Sequence, residues 1–207
     1  NVMRNGKIAM KLPEGVSLVN ARICDENDDI MLVTSGGRAI RFPTTEVRVF
    51  KSRGSTGVRG IRLMEGDSVV SMSVIRHFDA TPDERAAYLK MRRAQEGVLD
   101  DPEADDDEVA VAGELPAERF AEMQAFEDLI LTITQGGSGK LSSSHDYPVR
   151  GRGGQGVKAM AGRNGALVAC FPVERSDQIM LATSTGQSIR VPVEGISFRS
   201  RSAGGVK

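Results

Sequence analysis

The stretch Ile30-Met-Leu-Val-Thr-Ser-Gly-Gly-Arg-Ala-Ile-Arg-Phe-Pro43 occurs more than once in this chain. It returns, with most positions identical, as Ile179-Met-Leu-Ala-Thr-Ser-Thr-Gly-Gln-Ser-Ile-Arg-Val-Pro192. A weaker copy, Ile130-Leu-Thr-Ile-Thr-Gln-Gly-Gly137, lies between these two. Self-similarity of this kind indicates an array in which one structural unit is used several times.

Each copy has the pattern of a β-hairpin. Residues 30–34 are a short apolar run, residues 35–38 contain the turn glycines, and residues 39–42 alternate before a proline. Further strands are predicted on either side of short glycine-containing turns, at residues 58–63, 68–75, 157–160 and 166–171. About four short strands in roughly 50 residues are typical of a propeller blade. We therefore predict an all-β chain, a propeller-like array with parts of about four four-stranded antiparallel blades.

A basic, glycine-rich segment ending in Gly-Val follows each copy. These segments are Lys51-Ser-Arg-Gly-Ser-Thr-Gly-Val58, Arg150-Gly-Arg-Gly-Gly-Gln-Gly-Val157 and Arg199-Ser-Arg-Ser-Ala-Gly-Gly-Val206, called here the first, second and third basic loops. At the start of the chain, residues 6–15 align with residues 57–66. Cations at matching repeat positions predict a regularly charged surface, and hence a long, regularly charged partner. The candidate contacts are Arg48, Lys51, Arg53, Arg59, Arg62, Arg150, Arg152, Lys158, Arg199, Arg201 and Lys207.

The net charge of −1 hides a strong segregation of charge. Residues 79–128 hold 16 acidic and 5 basic side chains, a balance of −11, so the remainder carries 22 basic and 12 acidic residues, a balance of +10. Such asymmetry within one chain points to nucleic acid or a membrane surface. Since no apolar run reaches membrane-spanning length and no signal peptide is evident, we expect a soluble, intracellular protein.

The acidic residues 79–128 interrupt the β pattern and form a predicted helical insertion. Thr81 can cap a helix, Pro82 suits its first position and Glu84 completes a capping box. Pro116 opens a second predicted helix, and the charged residues between the helices, 100–108, are expected to be mobile. Two interpretations of the insertion stay open: a solvated acidic helical hairpin, or a decoy anion that competes with DNA for the basic face or shields that face.

Two nucleotide-binding patterns are incomplete. Gly151-Arg-Gly-Gly-Gln-Gly156 satisfies G-x-G-x-x-G, but the helix that must follow it to hold a pyrophosphate has no signal. Gly139-Lys140 resembles the end of a P-loop, but Leu141 stands where a Mg²⁺-binding Ser or Thr is required. Neither pattern therefore predicts a nucleotide site.

No catalytic or metal-binding set is found among the remaining reactive residues. Cys24 and Cys170 match no metal or redox spacing. His77 and His145 lack ligand partners, and each is expected to be an ordinary surface or turn histidine. Since no recognition helix and no aromatic platform is evident, binding is expected to involve phosphates and to be insensitive to base sequence.

The repeated motifs resemble the C-terminal domain of the A subunit of DNA gyrase, a type IIA topoisomerase. The residues that carry the resemblance are Gly57-Val-Arg-Gly-Ile-Arg-Leu63, the Ile-Met-Leu strands and Arg150-Gly-Arg-Gly-Gly-Gln-Gly156. It covers all the β repeats, about three quarters of the chain, and leaves out the acidic insertion. The related domain of topoisomerase IV shares the blade design and stays an alternative, as does, from another class, a propeller-like protein-interaction platform.

The resemblance implies a β-pinwheel, with a strand exchanged between neighbouring blades and duplex DNA bent around a basic outer rim. In gyrase the wrap has positive handedness and serves ATP-driven negative supercoiling. The resemblance places the cleavage tyrosine in another domain of the same gyrase polypeptide, and ATP and Mg²⁺ in the rest of the holoenzyme, so no cofactor is expected here. A monomeric chain acting in the cytoplasm, at the bacterial nucleoid, is expected.

The family's signature box reads Gln-Arg-Arg-Gly-Gly-Lys-Gly. Four residues of the second basic loop match it, while Arg150, Gly151 and Gln155 depart from it. We interpret the segment as a degenerate copy in a later blade, and the chain as a piece of the domain with impaired chiral wrapping. The matching residues are Arg152, Gly153, Gly154 and Gly156.

Overall fold

The computed structural model describes residues 4–98, 113–161 and 165–207, which hold nine strands and two α-helices. The strands are β1 (Asp28–Thr34), β2 (Arg38–Pro43), β3 (Val69–Arg76), β4 (Leu129–Thr134), β5 (Gly139–Ser143), β6 (Val157–Lys158), β7 (Leu167–Val173), β8 (Gln178–Ala182) and β9 (Ser188–Pro192). The helices are α1 (Pro82–Gln95) and α2 (Ala117–Ala125). A short 3₁₀ turn follows the second strand of each hairpin, at Thr44–Glu46, Ser144–Asp146 and Val193–Gly195.

The strands form three antiparallel sheets, one for each copy of the repeat. The first sheet has the order β3-β1-β2-β6, the second β5-β4-β7, and the third is the β8-β9 hairpin. The three hairpins were predicted from the repeat and are confirmed. The first sheet has the four antiparallel strands expected of a blade, and the predicted all-β, propeller-like class is confirmed.

Strand exchange links the sheets. The chain leaves the β4-β5 hairpin of the second sheet, passes through the second basic loop and lays β6 against β2 of the first sheet, with Ala39 opposite Val157. It then returns as β7 to pair with β4. An isolated bridge between Gly139 and Val206 repeats the arrangement one unit later. The first case gives a two-residue strand to the unit before it, and the second gives a single bridging residue.

Two strand predictions need correction. The predicted strand at 157–160 is reduced to Val157–Lys158. The strand predicted at 58–63 is wrong, because those residues have no ladder in the described part of the chain and instead contact the second basic loop. Here Gly153 N donates to Gly60 O at 2.7 Å and Arg62 N donates to Gly154 O at 2.8 Å. An extended segment becomes a strand only where a neighbouring edge offers donors and acceptors in register.

Two of the buried apolar clusters lie between consecutive sheets. One cluster joins the first and second sheets and includes Met31, Ile75, Ile130 and Cys170. Another joins the second and third sheets around Leu141. Sheets that bury their faces against each other in series are the packing of propeller blades.

A buried ion pair joins the first sheet to the following unit. Arg41 Nε lies 2.7 Å from Asp29 Oδ2, and both side chains are almost fully buried. The same guanidinium donates to Ser144 O at 2.8 Å and to Arg76 O at 3.0 Å. Burial lowers the pKa of Arg41, although Asp29 opposes the shift. A charge so enclosed is tolerated because it is paired and its guanidinium also donates to backbone carbonyls.

The helical insertion begins as the sequence predicts. Thr81 Oγ1 accepts from Glu84 N at 3.2 Å, and Glu84 Oε2 accepts from Thr81 N at 2.8 Å, so both halves of the capping box are present. Pro116 occupies the N-cap position of α2 without a side-chain cap bond, and Phe120 and Met123 are buried. The charged segment 100–108 lies outside the described residues.

The insertion is docked on the sheets rather than held away from them. His145, expected to be an ordinary surface or turn histidine, lies in the 3₁₀ turn Ser144–Asp146 but is only 2 % exposed. Its ring meets Tyr88 edge-on at 5.0 Å, and its Nε2 lies 2.8 Å from Met123 O. On the next unit, the guanidinium carbon of Arg92 lies 4.9 Å from the Phe198 ring centroid. The helices therefore bridge the second unit and the base of the third basic loop.

Candidate nucleic-acid interface

The second and third basic loops begin at the same place on successive sheets. Arg150 N donates to Arg41 O at 2.8 Å, and Arg199 N donates to Leu141 O at 2.8 Å. Arg41 and Leu141 occupy equivalent positions of β2 and β5. The first cation of each loop is thus fixed by its main chain at a repeating position.

Glycines at the ends of the loops allow the backbone to approach the preceding sheet. Gly156 has φ +70°, and a Cβ placed on it would overlap Ala39 O and lie 2.7 Å from the Ala39 carbonyl carbon. A Cβ on Gly205 would lie 2.5 Å from Met160 Cε and 2.9 Å from both N and O of Gly139. Because backbone atoms that cannot rotate away are among the obstacles at both sites, only glycine fits there.

Most of the candidate cations are exposed. Arg48 is held over the Phe50 ring at 4.6 Å, and Arg199 is half-buried. The exposed ones are Arg48, Lys51, Arg53, Arg59, Arg62, Arg150, Lys158 and Lys207. These side chains can reach a polyanion without moving the sheets.

Arg201 has a different environment from the one expected of it. It is 8 % exposed, its Nε donates to Asp146 O at 2.8 Å, and its Nη1 donates to Lys158 O. The candidate phosphate contact is withdrawn for Arg201, because its guanidinium is buried against protein acceptors. Arg152 is half-buried in an equivalent arrangement, with Nε donating to Glu46 O at 3.1 Å.

The four residues that match the signature box lie together between two units. Gly153 has φ +86° and its main chain, with that of Gly154, bonds to residues 60–62. Gly156 abuts Ala39, and Arg152 reaches the carbonyl of Arg59. The box residues therefore shape and anchor the loop, while the neighbouring Arg150 is the exposed cation.

Lys140 is a residue whose role the sequence analysis missed. It is fully buried, and its Nζ donates to the carbonyls of Ser200, Arg201 and Ala203 at 2.8, 2.5 and 2.5 Å. It therefore organises the third basic loop from the inside. The available signal was its register, since Ile40 and Ile189 occupy the equivalent hairpin position in the other copies.

The acidic helices carry their own counter-charges. Glu84 and Glu122 both pair with Arg119, at 2.8 and 2.7 Å. Glu96 lies 2.6 Å from both Arg92 Nη1 and Arg175 Nη2, so it links α1 to the turn between β7 and β8. Glu84 therefore joins α1 to α2, and Glu96 contributes to docking the insertion on the sheets.

The described ranges contain no group of three or more His, Cys, Asp or Glu side chains placed to hold a metal ion. Nor does either described helix have the length and apolar character needed to cross a membrane. Both cysteines are free thiols; Cys24 is exposed, and burial raises the pKa of Cys170 to about 11.

Comparison with known proteins agrees with the repeated units. The family model described as "DNA gyrase C-terminal domain, beta-propeller" matches residues 4–25, 28–76, 128–174 and 177–207. The chain belongs to this family. Its four matched segments follow the β repeats and leave out residues 77–127, which hold both helices.

Curated relatives extend over the whole chain. The DNA gyrase A subunit of Granulibacter bethesdensis is 48% identical over 221 residues, which cover 100% of this chain and 24% of the relative. The DNA gyrase A subunit of Rickettsia bellii is 40% identical over 210 residues, covering 99% of this chain and 23% of the relative. The chain spans about a quarter of the length of these relatives.

Solved structures share the fold at low identity. The C-terminal domain of DNA topoisomerase IV has a TM-score of 0.66 at 20% identity, covering 96% of this chain and 47% of the other. The DNA gyrase A C-terminal domain has a TM-score of 0.66 at 19% identity, covering 98% and 53%.

Proposed function

We propose that this chain binds duplex DNA through the exposed cations of its basic loops and the half-buried Arg199, and bends it around the edge of the sheets. The observation that carries the proposal is the equivalent anchoring of Arg150 and Arg199, each tied by its main chain to the same point of the preceding hairpin. Solubility alone requires no such register, whereas the phosphates of a duplex repeat along the partner.

The chemistry of the loops favours phosphate contact over base readout. Arginine and lysine heads neutralise phosphates without regard to sequence, and the glycines permit close approach of main-chain N–H groups. Bending a site of 20–30 base pairs costs about 1–6 kcal/mol, so several clusters must act together. The basic body outside residues 79–128, with its balance of +10, supplies them.

The wider role follows the family as part of this proposal. The chain would act as a DNA-wrapping domain within the A subunit of DNA gyrase, in support of ATP-dependent negative supercoiling. The rest of that polypeptide and the gyrase ATPase partner would supply cleavage, ATP and Mg²⁺, with the chain itself non-catalytic. It would act as a monomeric module in the bacterial cytoplasm, at the nucleoid. The equal TM-score of the topoisomerase IV domain keeps that enzyme as the second candidate.

Neutralising the two equivalently anchored arginines tests the proposal. In the Arg150→Gln/Arg199→Gln variant, the slope of log affinity against log salt should flatten by about 1.8, because each lost phosphate contact contributes about 0.9. The loss should be the same for unrelated duplex sequences. Lys90→Gln is the matched control, since Lys90 is exposed on α1 and is not part of a basic loop. An unchanged slope, or a loss confined to one sequence, would refute phosphate binding by these loops.

A further inference from the structure

Three arginines at the third position of the three basic loops bond to the unit before their own. Each donates from Nη1 to a backbone carbonyl of that unit: Arg53 to Ile8 O at 3.2 Å, Arg152 to Arg59 O, and Arg201 to Lys158 O. In every case the accepting residue lies two positions after a glycine that occupies the same place in each repeat. Because the contact recurs in all three loops, it is a feature of the repeat.

In two of the loops the same arginine also holds the preceding 3₁₀ turn. The main-chain N–H of Arg152 donates to Glu46 Oε2 at 2.7 Å, and that of Arg201 donates to Asp146 Oδ2 at 2.7 Å. Their Nε atoms donate to the carbonyls of the same two acidic residues, at 3.1 and 2.8 Å. One arginine thus hydrogen-bonds to two separate segments of the preceding unit, its 3₁₀ turn and the backbone carbonyl described above.

The two arginines of each Arg-x-Arg pair therefore have different tasks. Arg150 and Arg199 are anchored by their main chains alone in the bonds described above. Arg152 and Arg201 use the side chain as well, with a planar guanidinium whose donors point in fixed directions. A lysine has the same charge but cannot reproduce this fork.

We propose that Arg152 and Arg201 are positioning residues that fix successive basic loops relative to one another, and so set the curvature of bound DNA. This inference rests on the proposed DNA binding. A duplex resists bending, so it follows a curved rim only where the cation clusters are held rigidly. We call Arg152 and Arg201 the clamp arginines. Weakening their side-chain hydrogen bonds leaves every positive charge in place but lets the bound duplex relax toward a straight path.

Charge-preserving substitutions separate curvature from phosphate contact. The experiment compares Arg152→Lys/Arg201→Lys with the control Arg150→Lys/Arg199→Lys in the 207-residue chain. It measures the salt slope and the energy transfer between dyes at the two ends of a duplex of about 40 base pairs. For the clamp variant we expect an unchanged salt slope, lower end-to-end transfer, and affinity for this duplex reduced on the order of fivefold, with little change on a duplex of about 12 base pairs. The control should bend DNA like the wild type.

Other outcomes are decisive as well. Wild-type bending by the clamp variant overturns the inference, and so does a salt slope lowered by about two, which would make these arginines phosphate contacts. Arg152→Lys alone changes only the half-buried arginine of the second basic loop, and covers the case in which the double variant does not fold. It should also reduce bending at an unchanged slope, and wild-type bending by a folded Arg152→Lys overturns the inference. If the wild-type chain itself does not bind DNA, the proposed function fails first.

Discussion

Gly156→Ala should destabilise the fold far more than an equivalent change in an open turn. Gly156 has φ +70°, and an alanine in the left-handed region costs about 1–2 kcal/mol. Its Cβ would also overlap the Ala39 carbonyl, and a backbone obstacle cannot rotate away. Moving β6 off β2 to relieve the overlap disturbs a ladder of only two residue pairs. Overpacking of this kind adds about 1–3 kcal/mol, which gives a total of about 2–5 kcal/mol.

Gly137→Ala is the matched control. Gly137 has φ +79° in the β4-β5 turn, and a Cβ on it would meet nothing within 4 Å. Its cost should stay near the conformational value alone, partly offset by about 0.4–1 kcal/mol from the lower entropy of the unfolded chain. The difference between the two variants isolates the close approach at Ala39.

Urea unfolding followed by far-ultraviolet circular dichroism measures both variants. With a slope of about 1–3 kcal/mol per molar urea, the midpoint of Gly156→Ala should fall by about 1 M or more below that of Gly137→Ala. Equal midpoints would refute the explanation that strand exchange requires glycine at this position.

Two further predictions concern stability. Burial lowers the pKa of His77, but hydrogen bonds and charge from Asp29 and Asp79 outweigh it and raise the pKa overall. The resulting stabilisation is fully present below the pKa of the unfolded state, about 6.5, and is lost as pH rises through the pKa of the folded state. In urea titrations His77→Asn should therefore lower the free energy of unfolding more at about pH 5.5 than at about pH 8. Equal losses at the two pH values would contradict this prediction. Lys140→Met leaves three buried carbonyls without their ammonium donor, so it should lower the free energy of unfolding by about 2–4 kcal/mol in the same assay. Lys90→Met, at an exposed position of α1, should lower it by at most about 0.5 kcal/mol. Similar losses for the two variants would count against Lys140 as the internal anchor of the third basic loop.

Local signals predicted the elements that depend on local physics. The hairpins follow from apolar runs on either side of a turn glycine, and α1 starts at the capping box that Thr81 and Glu84 form. These features require only neighbouring residues, so one sequence was sufficient to place them.

Features that depend on a neighbouring unit were harder to predict. Residues 58–63 have the composition of a strand but no ladder in the described chain. His145 is a turn residue by sequence, but α1 and α2 cover it, and burial lowers its pKa despite the bond to Met123 O. Nothing in the local pattern around His145 indicates which residues cover it.

The candidate interface was predicted in outline and corrected in detail. The repeat located all three basic loops, but it gave the two arginines of each pair the same role. Arg150 is exposed, whereas Arg201 is buried against acceptors of the preceding unit. The position of an arginine in the repeat cannot show whether its side chain binds a phosphate or a backbone carbonyl, because arginines of both kinds recur with the repeat.

Phosphate binding along the basic loops is best tested by the salt and length dependence of DNA affinity. The wild-type chain is titrated with duplexes of about 12 to 60 base pairs in two unrelated sequences, between about 50 and 200 mM salt. Six to ten phosphate contacts predict an affinity that rises with length, is equal for both sequences and falls by about 10³–10⁵ across the salt range. Weak binding that ignores both length and salt would contradict a DNA-binding role for these loops.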